Sequence, residues 1–419
     1  MTASIASQAN QNHSRSLLSS VLSMAGAEVI NRVTRLATAL ALAWSFAPYE
    51  FGIAAIALTA AEVFRAFTQT GLGARIISID DEHYAAACNS AYRMNWIFYI
   101  TVFALQVSSA VPIANHFSDP KIAWIIAGLA VPYLLYPAVA VHVYRMHRQK
   151  RMRETAVMMT LLISGDNVLT AAFAIAGCGL WSLVTPKILC AILWVIFYRR
   201  LETWSPTTAK LPMFPLLKFG LTVLSSELAT VFRLHADKFV IGHMLGLAAL
   251  GNYFFAYNAG LGIVAALITA VTTALLPYFV PRNGTVSGGR QLLKAVGVMT
   301  AVISPIVLFQ STLAQWYVPL IFGQRWVKAV PLIELLCWFG IPFMVVRLCS
   351  IFLRARGDVE RELKLSIFQT VLGIGSLLVA MPQGLIPALS FQLAVLSAAA
   401  CICLGITLRS TTTDMEVLT

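Results

Sequence analysis

Apolar segments of about twenty residues recur along this chain, and each is long enough to cross the hydrocarbon core of a bilayer as a helix. The chain is 58% hydrophobic and only 11% charged, whereas a soluble domain carries about 25% charged residues. Within a bilayer, backbone N–H and C=O groups must bond inside the segment, which favours helices. The sequence therefore predicts an all-α integral membrane protein.

Twelve such segments are separated by prolines, glycines or clusters of charge, which are typical breaks between helices. They lie near 17–44, 49–72, 91–113, 122–143, 155–177, 179–198, 214–243, 247–277, 291–318, 329–352, 364–381 and 384–408. Twelve spans place both termini on the same side of the membrane.

The basic residues indicate which side that is. Of thirty lysines and arginines, twenty fall in loops or at the adjoining segment ends on the side of the N-terminus, and three fall in the opposite loops. Cytoplasmic loops carry such an excess, so we expect a multi-pass membrane protein with both termini in the cytoplasm. The net charge of +12 has the same origin, and no nucleic-acid partner is expected.

The chain divides near residue 205, after the sixth segment, into two halves with matching features. A basic loop follows the fourth segment at 144–151 and the tenth at 352–357, and short similar motifs open the second and eighth segments. Parallel repeats of this kind occur in transporters. We predict two pseudo-symmetric six-helix lobes, at 17–205 and 206–408, a disordered cytoplasmic tail at 1–16 and a second cytoplasmic tail at 409–419.

Polar residues in the first segment follow helical spacing. Glu28, Asn31, Arg32 and Arg35 lie on one helical face in an otherwise apolar stretch,. An arginine at mid-bilayer costs about 2.5–3.5 kcal/mol on insertion scales, so this face should line a cavity of water or protein. Glu28 and Arg32 could also neutralise each other as a helical pair. Arg35 has no acid three or four residues away.

Two more segments carry charged faces. The seventh has Ser226, Thr230, Arg233 and Asp237 on one face, with Glu227 and Lys238 on an adjacent one, and the second has Glu62, Arg65 and Gln69,. Glu62 and Arg65 could likewise be a local pair. Lys187 and Arg347 are weaker candidates that could extend to an interface.

Together these residues predict a cationic cavity. Arginine suits phosphate because its planar fork donates two hydrogen bonds and stays charged. The predicted substrate-binding residues are Arg32, Arg35, Arg65, Arg233, Asn31, Gln69 and Lys238. Buried carboxylates can couple transport to an ion, and the candidates are Glu28, Glu62, Glu227 and Asp237.

Signatures of an enzyme are missing from the sequence. It has no glycine-rich phosphate loop and no cluster of His and Cys with metal-ligand spacing, and its seven cysteines are scattered,. We therefore expect a transporter with no catalytic residues, no metal and no cofactor.

Several stretches resemble bacterial polysaccharide-biosynthesis flippases of the multidrug/oligosaccharidyl-lipid/polysaccharide exporter superfamily. They are 219–258, 320–326, 329–332, 50–52 and 71–74. The resemblance implies two six-helix, MATE-like lobes, alternating access and an undecaprenyl-pyrophosphate-linked oligosaccharide as cargo, for exopolysaccharide, capsule or O-antigen. It also implies contact with membrane lipids, with the polysaccharide polymerase and export machinery as candidate partners.

Two alternatives stay open at this point. A cation-coupled multidrug exporter of the same fold would prefer an acidic cavity, whereas the charged faces of segments one, two and seven hold five bases against four acids. A membrane glycosyltransferase or polymerase would be expected to carry a sizeable outer loop, which the predicted spans leave no room for.

Overall fold

The structure, a computed structural model, describes residues 30–69, 72–77, 79–208, 213–279 and 288–416. Within these ranges the chain forms helices and turns and contains no strand. The helices are α1 (30–45, from the first described residue), α2 (Pro48–Ala66), α3 (Leu72–Ile77), α4 (Asp81–His116), α5 (Pro120–Ala130), α6 (Pro137–Arg148), α7 (Met152–Ile175), α8 (Thr185–Leu201), α9 (Met213–Ala259), α10 (Leu261–Phe279), α11 (Gly288–Tyr317), α12 (Val330–Trp338), α13 (Gly340–Ala355), α14 (Val359–Ala380) and α15 (Leu385–Glu416).

Eight helices in this described part are long and apolar enough to cross a membrane, or nine if one bent pair counts as a single span. The prediction of an all-α multi-pass membrane protein is therefore confirmed. The total of twelve spans and the location of the termini stay predictions. So do the lobe boundary near 205 and the two tails, and the tail at 1–16 lies outside the described residues.

The bent pair replaces the single helix expected at 122–143. Helix α5 and the 3₁₀ turn Val131–Leu134 form one arm, α6 forms the other, and the arms meet at 54°. Pro132 and Pro137 flank the bend. Proline has no N–H to donate and its ring displaces the preceding turn, so two prolines five residues apart account for the bend.

The first compact unit contains the described residues of Met1–Phe46 and Ile56–Phe232. Helix α4 packs against α5 and α6, and α7 packs against α8. Near the bend, the rings of Tyr99, Tyr133 and Tyr136 lie within 6.4 Å of one another, centroid to centroid. This aromatic group carries hydroxyls into an otherwise apolar core, close to charged side chains described below.

The second compact unit contains the described residues of Ala47–Ala55 and Arg233–Thr419. Helix α10 packs on α13, and α14 and α15 pack on each other. Its core includes Trp326, whose ring stacks on that of Phe255 with the centroids 4.0 Å apart and meets the ring of Phe51 edge-on with the centroids 4.9 Å apart. The first turns of α2 thus belong to this unit, while the rest of α2 belongs to the first.

A single residue interrupts α9. Gly246 has φ of 83° and ψ of 174°, outside the helical region, and a residue without Cβ adopts this conformation without strain. The interruption falls between the predicted seventh and eighth segments, 214–243 and 247–277.

Candidate functional site

Arg65, near the end of α2, is held by a carboxylate one turn earlier. Its Nε and Nη2 donate to Glu62 Oε2 at 2.8 and 2.6 Å. Both side chains stay open, with 51% of Arg65 and 42% of Glu62 exposed. The local pair considered from the sequence is thus present, and it leaves part of the guanidinium accessible.

A second ion pair joins α7 to α8 in the same unit. Lys187 Nζ lies 2.7 Å from Asp166 Oδ2. The other carboxylate oxygen, Asp166 Oδ1, is buried and has no hydrogen-bond partner among the described residues. An orphaned carboxylate oxygen is costly in a low-dielectric site, so Asp166 has capacity to accept one more donor.

The two pairs share an electrostatic environment. Tyr136 lies within range of both Asp166 and Arg65, and Arg65 also interacts with Tyr133 and with Glu227 on α9. We call Glu62, Arg65, Asp166, Lys187 and Glu227 the unit-1 charge cluster. It brings together three predicted residues, one weaker candidate and one residue that the sequence analysis did not select.

Hydrogen bonds attach α1 to α7 beside this cluster. Asn31 Oδ1 accepts from the Ser164 hydroxyl at 2.8 Å. Thr34 Oγ1 accepts from the amide of Asn167 at 3.2 Å, and Thr38 donates to the Asn167 carbonyl oxygen at 2.7 Å. The Asn31 side chain therefore helps to fix α1, rather than pointing to open space.

The other predicted residues of α1 and α2 are placed as follows. Arg32 is half-buried, Arg35 is exposed, and Gln69 is exposed just beyond the end of α2. Glu28 lies outside the described residues. The structure thus leaves Arg35 exposed on the described part of α1.

The second unit holds a separate buried network. Lys238 is only 2% exposed, and its Nζ donates to Asp237 Oδ1 at 3.3 Å and to the Leu234 carbonyl oxygen at 3.1 Å. It also lies 4.6 Å from the ring centre of Tyr257, while the Tyr253 hydroxyl donates to Asp237 Oδ2. These contacts account for the donors of Lys238 within the protein.

Arg233 lies on α9 one turn before Asp237. The backbone there is helical, while the side chains of Arg233, Ser226 and Thr230 lie outside the described part. Whether their predicted stripe forms is therefore not tested.

Asp166 is the main residue that the sequence analysis missed. Its signal was available, because Ser164, Asp166 and Asn167 interrupt the apolar segment 155–177 within four positions. Their importance comes from partners on α1 and α8 that are distant in sequence. Among the described residues, no group of three or more His, Cys, Asp or Glu is placed to hold a metal ion.

Comparison with known proteins gives a consistent picture. The profile of a family described as "Polysaccharide biosynthesis protein" matches residues 41–331. The lipopolysaccharide biosynthesis protein WzxC of Escherichia coli is 26% identical over 39% of this chain and 34% of its own length. The succinoglycan biosynthesis transport protein ExoT of Rhizobium meliloti is 24% identical over 70% of this chain and 60% of its own length. The chain thus spans less than two thirds of either relative.

Two solved structures share the fold. The lipid II flippase MurJ, in an inward closed conformation, aligns with a TM-score of 0.73 at 11% identity, over 93% of this chain and 87% of that one. An inward-facing multidrug resistance MATE family transporter aligns with a TM-score of 0.71 at 14% identity, over 93% and 95%. At such identities the likeness shows the fold alone, and it confirms the MATE-like architecture of a multi-pass membrane protein.

Proposed function

Because this chain belongs to the polysaccharide biosynthesis protein family, we propose that it is a flippase for undecaprenyl-pyrophosphate-linked oligosaccharide. The cargo would move from the cytoplasmic to the periplasmic leaflet of the inner membrane by alternating access of two six-helix lobes, with both termini in the cytoplasm. The names of its relatives support the pathway: one is a lipopolysaccharide biosynthesis protein and another a succinoglycan transport protein. No catalytic step is part of this proposal.

The observation that carries the proposal is the unit-1 charge cluster. Arg65 keeps half of its side chain exposed in the last turn of α2, whose other charged residues are Glu50 and Glu62, and Arg35 is exposed on α1. An arginine facing lipid at the middle of the bilayer would cost about 2.5–3.5 kcal/mol. A water-filled path that admits a charged headgroup removes that cost.

A pyrophosphate fits such a surface. Each guanidinium offers a planar pair of donors to phosphate oxygens, and Arg65 is already paired with a single carboxylate that phosphate could replace. Arg32 and Arg35 on α1 belong to the same proposed set, with Asn31 and Gln69 as polar neighbours, and Arg233 on α9 stays a predicted phosphate contact. Lys238 is buried and donates to two protein acceptors, so we assign it to the support of Asp237.

The acids supply a route for coupling. Glu62 and Glu227 lie close to Arg65, and Glu28 and Asp237 belong to the same predicted set. A carboxylate that gains a proton releases its arginine for phosphate, and one that loses it recaptures the arginine. This exchange links the charge state of the cavity to cargo binding.

The test is transport of a fluorescent lipid-pyrophosphate oligosaccharide in proteoliposomes, with the protein level in each preparation measured. We expect Arg35→Ala, Arg65→Ala and Arg233→Ala to abolish flipping, and the matching lysine variants to keep part of it, since a point charge loses the bidentate geometry. Lys364→Ala, at an exposed pair on α14, is the matched control.

Full flipping by all three alanine variants would reject the cationic path. The drug-exporter alternative predicts a different result: efflux of a cationic dye from the same vesicles, insensitive to the lipid-linked oligosaccharide.

A further inference from the structure

Exposed apolar side chains cover one face of α8 and lead to two arginines at its end. The apolar members of this face are Leu189, Ile192, Leu193 and Ile196. Arg199 and Arg200 are also exposed and follow on the same face,. From Leu189 to Arg200 the helix rises about 16 Å, roughly half of the hydrocarbon core of a bilayer. This face therefore matches the depth of one leaflet, with positive charge at one end.

The preceding helix, α7, has the same arrangement in reverse order. Arg153 is exposed in its first turn, and the exposed Val157 and Leu161 follow at intervals of four residues, on the same face,. Both helices lie within candidate membrane spans, which begin at Arg153 and end at Leu201. The bases of α7 and α8 thus lie at span ends, where lipid headgroups are found.

Arg151, just before α7, joins the start of α7 to the end of α8. Its Nη1 donates to the Leu201 carbonyl oxygen at 3.1 Å and to Glu202 Oε2 at 3.2 Å. Because α7 also packs on α8, three exposed bases come to one end of this helix pair. We call them the α7–α8 basic end, and they are Arg153, Arg199 and Arg200.

The acids beside the basic end are paired with other arginines. Glu154 accepts from Arg151 Nε at 2.9 Å. Glu202 is buried and accepts from Arg145 and Arg151. The three bases of the basic end form no ion pair within the described part of the chain. Uncompensated positive charge at the end of an apolar face complements a ligand with an anionic head and an apolar tail.

We propose that the exposed face of α7 and α8 binds an anionic phospholipid, with the headgroup phosphate on the basic end and the acyl chains along the apolar side chains. In the orientation proposed above this end is cytoplasmic, so the lipid belongs to the inner leaflet. A zwitterionic phospholipid fits less well, because its ammonium group meets three positive charges. The basic end shares no residue with the unit-1 charge cluster, so this lipid is distinct from the transported cargo.

The experiment compares phosphatidylglycerol with phosphatidylethanolamine on the purified full chain in neutral detergent. Native mass spectrometry counts the lipids that stay bound, and thermal unfolding measures the stabilisation that each lipid gives. We expect saturable binding of one phosphatidylglycerol, in preference to phosphatidylethanolamine, and a larger rise in melting temperature with phosphatidylglycerol. One base near a membrane surface favours an anionic lipid by about fivefold. Arg153→Gln and Arg200→Gln should therefore each lower the preference by about this factor.

Arg93→Gln is the matched control, because Arg93 is an exposed base of α4 and lies outside this face. It should leave the preference unchanged, while Arg153→Lys and Arg200→Lys keep the charge and should retain most of it. Equal binding of the two lipids by wild type, or an equal loss in Arg93→Gln, would overturn the proposal, since lipid would then cover these helices without selection by the basic end. Neither measurement involves flipping, so such a result would leave the proposed transport function intact.

Discussion

Gly52 faces the carbonyl oxygen of Leu247, four residues before Gly251, and Gly251 faces the carbonyl oxygen of Pro48, four residues before Gly52. A Cβ on Gly52 would lie 1.9 Å from the Leu247 oxygen, and one on Gly251 would lie 1.7 Å from the Pro48 oxygen. Two helical backbones approach this closely only where a side chain is missing. The reciprocal contact relates the starts of two segments that the sequence analysis matched by their motifs.

Alanine at either glycine should destabilise the second unit. The atoms in the way belong to backbone, so they can move only if the helices separate, and overpacking of this kind costs about 1–3 kcal/mol. We expect Gly52→Ala and Gly251→Ala to lower the melting temperature of the detergent-purified protein. Gly297→Ala is the control, because a Cβ on this helical glycine of α11 meets nothing within 4 Å, so its melting temperature should be unchanged or higher.

Equal melting temperatures for wild type and both contact variants would show that the two backbones are not in contact. If Gly297→Ala lowered the melting temperature as much as the two contact variants do, the cause would instead be a general effect of replacing helical glycines.

The fold was largely predictable because membrane helices depend on local composition. Long apolar runs, their Pro and Gly breaks and the loop charges are all local signals. The bend between α5 and α6 was encoded by Pro132 and Pro137, yet a window of mean hydropathy averages over such residues. Its angle depends on packing in the first unit, which the sequence does not display.

The candidate site was only partly predictable. Glu62 and Arg65 are three residues apart, so their pairing follows from helical geometry. Asp166 and Lys187 are 21 residues apart on different helices, and only the packing of α7 on α8 makes them partners. Asn31 shares a helical face with charged residues, but its side chain is used for attachment to α7.

Breaking the Asp166–Lys187 pair should cost stability that a reversed pair restores. Both side chains are partly exposed, Lys187 by 38%, so we expect about 1–2 kcal/mol for Asp166→Ala, below the cost of a fully buried pair. Asp166→Lys with Lys187→Asp should recover most of it. Unfolding in mixed micelles compares wild type, Asp166→Ala, Asp166→Lys, Lys187→Asp and the swapped protein. A loss of stability in the swapped protein equal to the sum of the losses in Asp166→Lys and Lys187→Asp would argue against a specific pair.

Loss of Lys238 should cost more stability than loss of Asp166, because the network around Lys238 is more deeply buried. Lys238→Met leaves Asp237 with only the Tyr253 hydroxyl among its described partners, and loss of one member of a buried pair costs about 3–5 kcal/mol,. Adding Asp237→Asn removes the uncompensated charge. We expect the double variant to be more stable than Lys238→Met, with a coupling energy of about 1–3 kcal/mol in a double-mutant cycle.

Measurements of cargo affinity on the same proteins show whether Lys238 supports Asp237 or contacts the substrate directly. If Lys238 only supports Asp237, a folded Lys238→Met protein should bind the lipid-linked cargo with unchanged affinity. A large loss of cargo affinity at unchanged stability would restore Lys238 to the set of direct contacts.

Glu202 should contribute more to stability than any exposed carboxylate of the chain. Its side chain is 7% exposed and accepts from two arginines and one glutamine, and the pKa of Arg151 is raised by its hydrogen bond to Glu154 and by the charge of Glu202. Hydrogen bonds to charged groups contribute about 1.5–3 kcal/mol each where both partners are withdrawn from water. Arg145 and Arg151 can be rehydrated when Glu202 is removed, so we expect a net loss of about 1–3 kcal/mol for Glu202→Ala.

Glu360→Ala provides the matched control for this effect. Glu360 makes a contact of 2.6 Å with Lys364, and both side chains are at least 70% exposed, so solvent screens the pair and its loss should leave the melting temperature nearly unchanged. Limited proteolysis adds a local readout, since Glu202→Ala should expose residues 203–208 to cleavage while Glu360→Ala should not. Identical melting temperatures and cleavage patterns for the two variants would show that Glu202 does not hold residues 203–208 in place.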